Sequence, residues 1–312
     1  MTPMKRAMAQ PSELHGFAVI DKAAGWTSHD VVAKARGILR TRKIGHAGTL
    51  DPSATGVLVL GVGHATRLLK YCTELGKSYV GEIVFGVETS TLDAEGEVTA
   101  RHDMHGLDAV AVHAVAQTFV GHIEQIPPMV SAVKIDGRRL YELARQGIEV
   151  ERAPRPVHIA RLAVEPLVPD ADGCPVWRIE VACSSGTYIR TLAADIGHAL
   201  GGGAHLRSLR RTAVGTFRVE DGAAIEQLTS DRLITPAAGM GHLGAVTVDA
   251  TLVGLIANGR VLPRQVVGVN GDGPWRVLDE HGALLAIYEA HRDDTAKPSV
   301  VLPPVTQRAL DV

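Results

Sequence analysis

The chain has 312 residues, 46% of them hydrophobic, and a formal net charge of −2, a length that predicts one large domain with a smaller appendage. Near-neutral charge excludes a whole-protein basic field, so a nucleic-acid partner would have to be met by local patches. Cys72, Cys174 and Cys183 form no Cys-x-x-Cys pair, which argues against a disulfide framework and a zinc ribbon, and no apolar run approaches the ~18 residues of a membrane span.

Residues 1–15 carry Lys5 and Arg6 but no apolar h-region, and read as a loose tail and not a signal peptide. Phe17-Ala18-Val19-Ile20 predicts a first strand. Gly25-Trp26-Thr27-Ser28 predicts a turn with Ser28 as N-cap of a helix carrying Val31, Val32, Ala35, Ile38 and Leu39. The twelve residues from Gly45 to Gly56 predict a tight ordered loop, followed by the buried strand Val57-Leu58-Val59-Leu60. A helix over 65–74, a strand over 77–85, a polar loop over 89–97 and a helix over 107–119 come next. Strands over 121–126 and 129–134 follow, then a helix over 139–145. Two more strands, 154–168 and 177–183, precede a turn and a helix beginning at Tyr188. Many strands with few helices predict an α+β fold built on a large mixed, mostly antiparallel sheet flanked by helices. The looser stretch 230–247 separates residues 16–235 from a small β-rich unit over 246–312, with a short helix near 253–259 and strands at 275–278 and 284–288.

The loop Gly45 to Gly56 offers two groups to chemistry, His46 and Asp51, but Asp-Pro is also an ordinary turn opener, and the loop alone leaves function open. Two runs of cations contain no acid. Lys34, Arg36, Arg40, Arg42 and Lys43 follow one helix, and Arg207, Arg210 and Arg211 stand within Leu206 to Thr212. A solvated face and a phosphate contact both fit such runs. Ser28-His29-Asp30 are sequence neighbours pointing in different directions, and no Gly-x-Ser-x-Gly elbow is present. Gly61-Val62-Gly63 lacks the last glycine of a dinucleotide fingerprint, and His102 and His105 have no supporting metal-ligand set.

Taken together, Gly45-His46-Ala47-Gly48-Thr49-Leu50-Asp51-Pro52, Lys77-Ser78-Tyr79, Gly186-Thr187-Tyr188-Ile189-Arg190 and Leu206 to Arg211 closely resemble the TruB-type tRNA pseudouridine synthases. Pro127 to Lys134 and Ile20-Asp21-Lys22 are similar to segments of the same family, and the match covers 16–212. Where the family has Lys-Pro, this chain has Lys22-Ala23. The resemblance implies the pseudouridine synthase fold and isomerisation of the uridine at position 55 in the tRNA T-loop. It also implies no cofactor, no metal, tRNA as partner, no obligate protein partner, a monomer, and a cytoplasmic location. It makes Asp51 the nucleophile, attacking C1′ directly, working through a glycal, or adding to C6. Arg190 would hold the carboxylate charged and aimed. Tyr79 and Tyr188 would lie against the flipped base, with Tyr79 also helping to take the C5 proton. Leu209 and Lys22 would contact the nucleoside, and His46 would fill the space the base leaves. Lys34, Arg40, Arg42, Lys43, Arg207, Arg210 and Arg211 would hold RNA phosphates. The C-terminal unit resembles a PUA-type RNA-binding appendage. A tRNA-binding or folding protein without catalysis and a guide-RNA-dependent synthase are the alternatives.

Overall fold

The computed structural model describes residues 14–303, except 132, 133, 136 and 145. The alternation and apolar runs of the sequence produce a nine-stranded sheet. Its strands are β1 (Gly16–Lys22), β2 (Ile44–Ala47), β3 (Thr55–Val62) and β4 (Lys77–Phe85) in the first half. The short pair β5 (Val87–Thr89) and β6 (Val98–Arg101) stands apart. Strand β7 (Gly121–Gln125) rejoins the main sheet, and the small hairpin β8 (Lys134–Ile135) and β9 (Arg138–Arg139) follows. The long strands β10 (Arg155–Pro166), β11 (Val176–Cys183) and β12 (Ala204–Val214), with the short β13 (Phe217–Arg218), complete it. The order is β1-β3-β12-β4-β11-β10-β7, with β2 on β3 and β13 on β12. Every pairing is antiparallel except β3 with β12. The fold is α+β, as the sequence predicts.

Helix α1 (Ser28–Ile38) starts one residue differently from expectation: Thr27 is the N-cap, in a capping box with Asp30. That leaves the Ser28 hydroxyl free for the site. Helix α2 (Leu69–Thr73) is preceded by a 3₁₀ turn over Gly63–Leu68, so the helix expected at 65–74 is shorter and tighter. Helices α3 (Ala109–Thr118) and α5 (Ile189–Ala199) cover one face of the sheet, and α4 (Leu140–Ala144) follows β9. Ile189, Leu192, Ala193 and Ile196 of α5 pack on Tyr79, Ile83 and Phe85 of β4. Truncating a buried leucine such as Leu192 in this layer costs about 2–5 kcal/mol. The expected strand over 129–134 is absent at Met129, Val130 and Ser131, which form a bend, and Ala132 and Val133 lie outside the described residues.

The tight loop is shorter than predicted. Gly45, His46 and Ala47 already belong to β2 and Thr55 and Gly56 to β3, leaving only 48–54 as loop. Strand β3 explains the placement. Its end, Val59 to Val62, pairs with β2, while its start, Thr55 and Gly56, pairs with Arg210 and Arg211 of β12. The loop stands where β2 leaves and β12 arrives. A Cβ on Gly56, whose φ is +99°, would lie 2.1 Å from the Arg211 carbonyl oxygen, so this crossing accepts only glycine.

After 3₁₀ turns and α6 (Pro236–Gly239), a second sheet has five strands in the order β14-β16-β17-β18-β15. They are β14 (Gly244–Thr247), β15 (Leu262–Pro263), β16 (Trp275–Leu278), β17 (Leu284–Ala290) and β18 (Thr295–Val301), with α7 (Ala250–Ala257) and α8 (Arg264–Val267) alongside. Leu284, Ile287, Val300 and Leu302 join one apolar cluster with Val57, Val59, Leu68 and Tyr71. Arg67 Nη1 donates to Val301 O at 2.6 Å, and Tyr71 Oη to Glu289 Oε1 at 3.0 Å. The apolar seam holds this sheet against β3, the strand that follows the loop 48–54.

Candidate active site

Four residues from outside it fix the loop 48–54. Ser28 Oγ accepts from Leu50 N at 3.0 Å and donates to Leu50 O at 3.3 Å. Gly25 N donates to Pro52 O at 2.9 Å. Lys22, 1% exposed, donates its ammonium to Ala23 O, Trp26 O and Pro52 O at 3.0, 2.7 and 3.1 Å. Arg211, 2% exposed, donates Nη2 to Gly48 O at 3.0 Å, Nη1 to Thr49 O at 3.4 Å and Nε to Val57 O at 2.7 Å. Charged donors to carbonyls are the stronger hydrogen bonds, and each is expensive to leave unmade inside a protein.

Asp51 stands at the crest of this loop, its side chain 39% exposed, with Oδ2 at 3.1 Å from Arg190 Nε. Arg190 enters from the first turn of α5 and is 5% exposed. Its other nitrogens are also satisfied: Nη1 reaches Asp93 Oδ2 at 3.3 Å and Thr91 O at 3.0 Å, and Nη2 reaches Val130 O at 2.8 Å. A guanidinium fixed at every edge has one orientation, so the carboxylate it meets is aimed as well. Burial pushes the Asp51 carboxyl up from its ordinary range; Arg190 pulls it back, Asp93 adds to the rise and Lys22 opposes it.

Asp51, Tyr79, Tyr188, Arg190 and Leu209 line a single cavity of about 390 Å³, with Arg211 and Lys77 deeper in its wall. That volume suits a small ligand group. Six of the expected site residues, Arg211 among them, drawn from a loop, two strands and the start of a helix, therefore meet. Burial raises the Tyr79 phenol above its usual value, with Arg211 opposing, so Tyr79 is a neutral hydrogen-bonding group at neutral pH. Lys77 is held down to about 8 by burial, and its ammonium donates to Thr73 O at 2.6 Å and Leu75 O at 2.8 Å.

Other expected residues are placed differently. Lys22 lies behind the loop, not in the cavity, and its three carbonyl contacts brace the turn that a proline at position 23 would otherwise stiffen. Arg211 is buried, and its guanidinium is taken up by the carbonyls of Gly48, Thr49 and Val57. Arg207 pairs with Glu82, Nε to Oε2 at 2.9 Å, and Arg210 forms a fork on Asp21 at 3.0 and 2.7 Å. Along β12, Arg211 lines the cavity, Ser208 and Arg210 line a groove of about 400 Å³ with Glu82 and Arg178, and Leu209 borders both. Lys34, Arg40 and Arg42 are exposed, with no ion pair among the described residues; Lys43 Nζ lies 3.1 Å from His64 Nδ1. His46 is half-buried on β2, outside the cavity lining, its ring edge-on to His29 at 5.5 Å. Burial first, then His29 and Arg211, lower its pKa.

Sequence reading missed Asp93. It sits in what reads as an ordinary polar loop, but Leu206 N donates to Leu92 O at 3.0 Å and Ala94 N to Leu206 O at 3.1 Å, turning the intervening carboxylate inward onto Arg190. Nothing in its local sequence separates it from a solvated loop acid.

Sheet, loop and pocket together define the class: an enzyme of the pseudouridine synthase fold, with an aimed carboxylate beside an aromatic-walled pocket. The chain belongs to the TruB family of pseudouridylate synthases, whose N-terminal domain matches residues 36–189. The tRNA pseudouridylate synthase B C-terminal domain matches residues 190–236. It is 43% identical over 284 residues to tRNA pseudouridine synthase B of Shouchella clausii (strain KSM-K16), covering 88% of this chain and 93% of that relative. It is 46% identical over 286 residues to the protein of the same name from Streptomyces coelicolor, covering 89% and 94%. Its fold is similar to a chain in the structure of an H/ACA RNP bound to a substrate RNA containing 2′-deoxyuridine, with TM-score 0.69, 22% identity and coverage of 97% and 93%.

Proposed function

We propose that the protein isomerises uridine to pseudouridine at position 55 of the tRNA T-loop, with Asp51 as nucleophile. The observation that supports this most is the Asp51 carboxylate 3.1 Å from Arg190 beside a cavity walled by Tyr79, Tyr188 and Leu209. A uridine stacked in a folded loop cannot reach that carboxylate, so the nucleotide swings out and its base lies on the aromatic wall. The N1–C1′ bond breaks, the uracil turns, C5 bonds to C1′, and the C5 proton leaves while N1 regains one. Substrate and product have the same composition, and no oxidant or group donor enters the balance. Tyr79, in the cavity wall with Asp51, would pass the C5 proton onward, directly or through water.

Arg190 stabilises the charged carboxylate against the desolvation that a seated base completes. Lys34, Arg40, Arg42 and Lys43 form the exposed basic surface that meets phosphates, and Arg207 and Arg210 exchange their acid partners for RNA at the rim. The C-terminal sheet acts as a PUA-like RNA-binding unit, and the protein works as a cytoplasmic monomer without a protein partner. The catalytic domain covers 16–235, and the RNA-binding unit begins with β14 at Gly244. A guide-RNA-dependent activity and a purely RNA-folding role make the opposite demands on a simple test. Purified protein alone is incubated with tRNA, and the product is mapped by carbodiimide labelling and primer extension. One stop at position 55 is expected; no modification without added RNA or protein would contradict the reading.

A further inference from the structure

Gln125 is the last residue of β7 and is 1% exposed. Its carboxamide lies against the backbone of Tyr188, 63 residues on. Oε1 accepts from Tyr188 N at 3.0 Å, and Nε2 donates to Tyr188 O at 3.3 Å. Tyr188 is the N-cap of α5 with extended backbone, φ −100° and ψ 109°, and makes no capping hydrogen bond with its own side chain. A helix start without a side-chain cap has little to define where its first turn begins. Here the two-bond amide contact from a neighbouring strand fixes that point.

We infer that Gln125 is a positioning residue for the isomerisation: it sets the start of α5 and thereby the placement of Tyr188 and Arg190 against Asp51. Arg190 is two residues beyond the clamped backbone, and its Nε–Oδ2 contact with Asp51 is 3.1 Å. The clamp has a second hold on the same guanidinium. The segment leaving Gln125 leads to Val130, whose carbonyl receives Arg190 Nη2 at 2.8 Å. One side chain thus fixes both the helix that carries the arginine and the root of the segment that docks it. Only a carboxamide of this length supplies both halves. Glutamate keeps the acceptor for Tyr188 N–H but sets a carboxylate against Tyr188 C=O. Methionine has the length and neither function, and asparagine falls one methylene short. This inference rests on the reading of Asp51 and Arg190 as the reacting pair.

The test compares Gln125→Met and Gln125→Glu with the parent in single-turnover rate on a T-stem-loop RNA, RNA affinity, thermal melting and pH–rate profile. Misplacement of catalytic groups by about 1 Å costs on the order of 100-fold in rate. Gln125→Met is therefore expected to lose about 100-fold in rate while its RNA affinity stays within about threefold, with the acid limb of its profile moved to higher pH as Arg190 loosens from Asp51. Gln125→Glu, which keeps one bond, falls between the two. A folded Gln125→Met with a rate within about threefold of the parent overturns the inference. So does an equal loss in rate and affinity with an unmoved acid limb, and so does failure of both variants to fold, since the amide would then serve the fold alone. Asp51→Asn in the same assay keeps the two readings apart. If it turns over, the reacting pair is wrong whatever Gln125 does; if it is inactive while Gln125→Met is intact, only the positioning role falls.

Discussion

The two acid-free cationic runs look alike in the sequence and meet opposite fates in the fold. Lys34 lies on α1 and Arg40 and Arg42 just past its end, all three exposed and without an ion pair among the described residues. Arg207, Arg210 and Arg211 lie on a central strand, where neighbours from distant sequence supply Glu82, Asp21 and three backbone carbonyls. A charge run in sequence measures only local neutralisation. Whether the charges are free for a ligand depends on the element that carries them, and strand pairing brings in partners that a helix end does not.

The largest effect expected from this contrast is at Arg211. Replacing it with methionine removes charged hydrogen bonds worth about 1.5–3 kcal/mol each and leaves the carbonyls of Gly48, Thr49 and Val57 unpaired. Thermal melting should show a loss of about 3 kcal/mol or more, and turnover should fall by at least about 100-fold because Asp51 loses its support. An unchanged melting curve would mean that Arg211 serves RNA after all. At the other run, Lys34→Ala combined with Arg40→Ala and Arg42→Ala should leave melting within about 0.5 kcal/mol of the parent. The triple variant should bind tRNA about tenfold more weakly, with a salt slope shallower by about one for each phosphate no longer held. A salt response identical to the parent's would separate this helix from the RNA path. Arg210→Ala should be the mildest. Its pair with Asp21 is part-exposed and worth less than about 1 kcal/mol, so melting barely moves and RNA affinity carries whatever effect there is.

The pH dependence sharpens the contrast between loop and surface. As the proposed nucleophile Asp51 would react as the carboxylate, and burial raises its pKa. Activity should therefore be lost, as pH falls, at a higher pH than an ordinary aspartate would give. Asp93 contributes to that rise, so Asp93→Asn should move the acid limb down wherever Arg190 stays in place. An acid limb at the ordinary aspartate value of 3.8 would remove burial as the controlling influence.

Much of the site was legible because its chemistry sits in short, compositionally unusual stretches. The loop at Asp51 showed as a glycine- and proline-rich turn, but the roles of Asp51, Tyr79 and Arg190 came from the resemblance of their motifs, taken together, to the family. The strand over Lys77–Phe85 was bounded as the structure has it. What escaped was pairing made in space by residues with ordinary local surroundings. Asp93 and Gln125 work through partners 97 and 63 positions away. Ser28 reads as an N-cap until Thr27 takes that place and frees its hydroxyl for Leu50. Two edges of the small sheet were hidden for a related reason: β15 has two residues and β14 four, too short for an alternation to show.

The central claim is that one carboxylate does the chemistry and RNA binding does not depend on it. Asp51→Asn keeps the side chain's size, so the direct measurement is its single-turnover rate on a T-stem-loop RNA alongside its affinity for the same RNA. The account predicts no detectable pseudouridine with affinity within severalfold of the parent; pseudouridine formed by the variant at a rate near the parent's would contradict it.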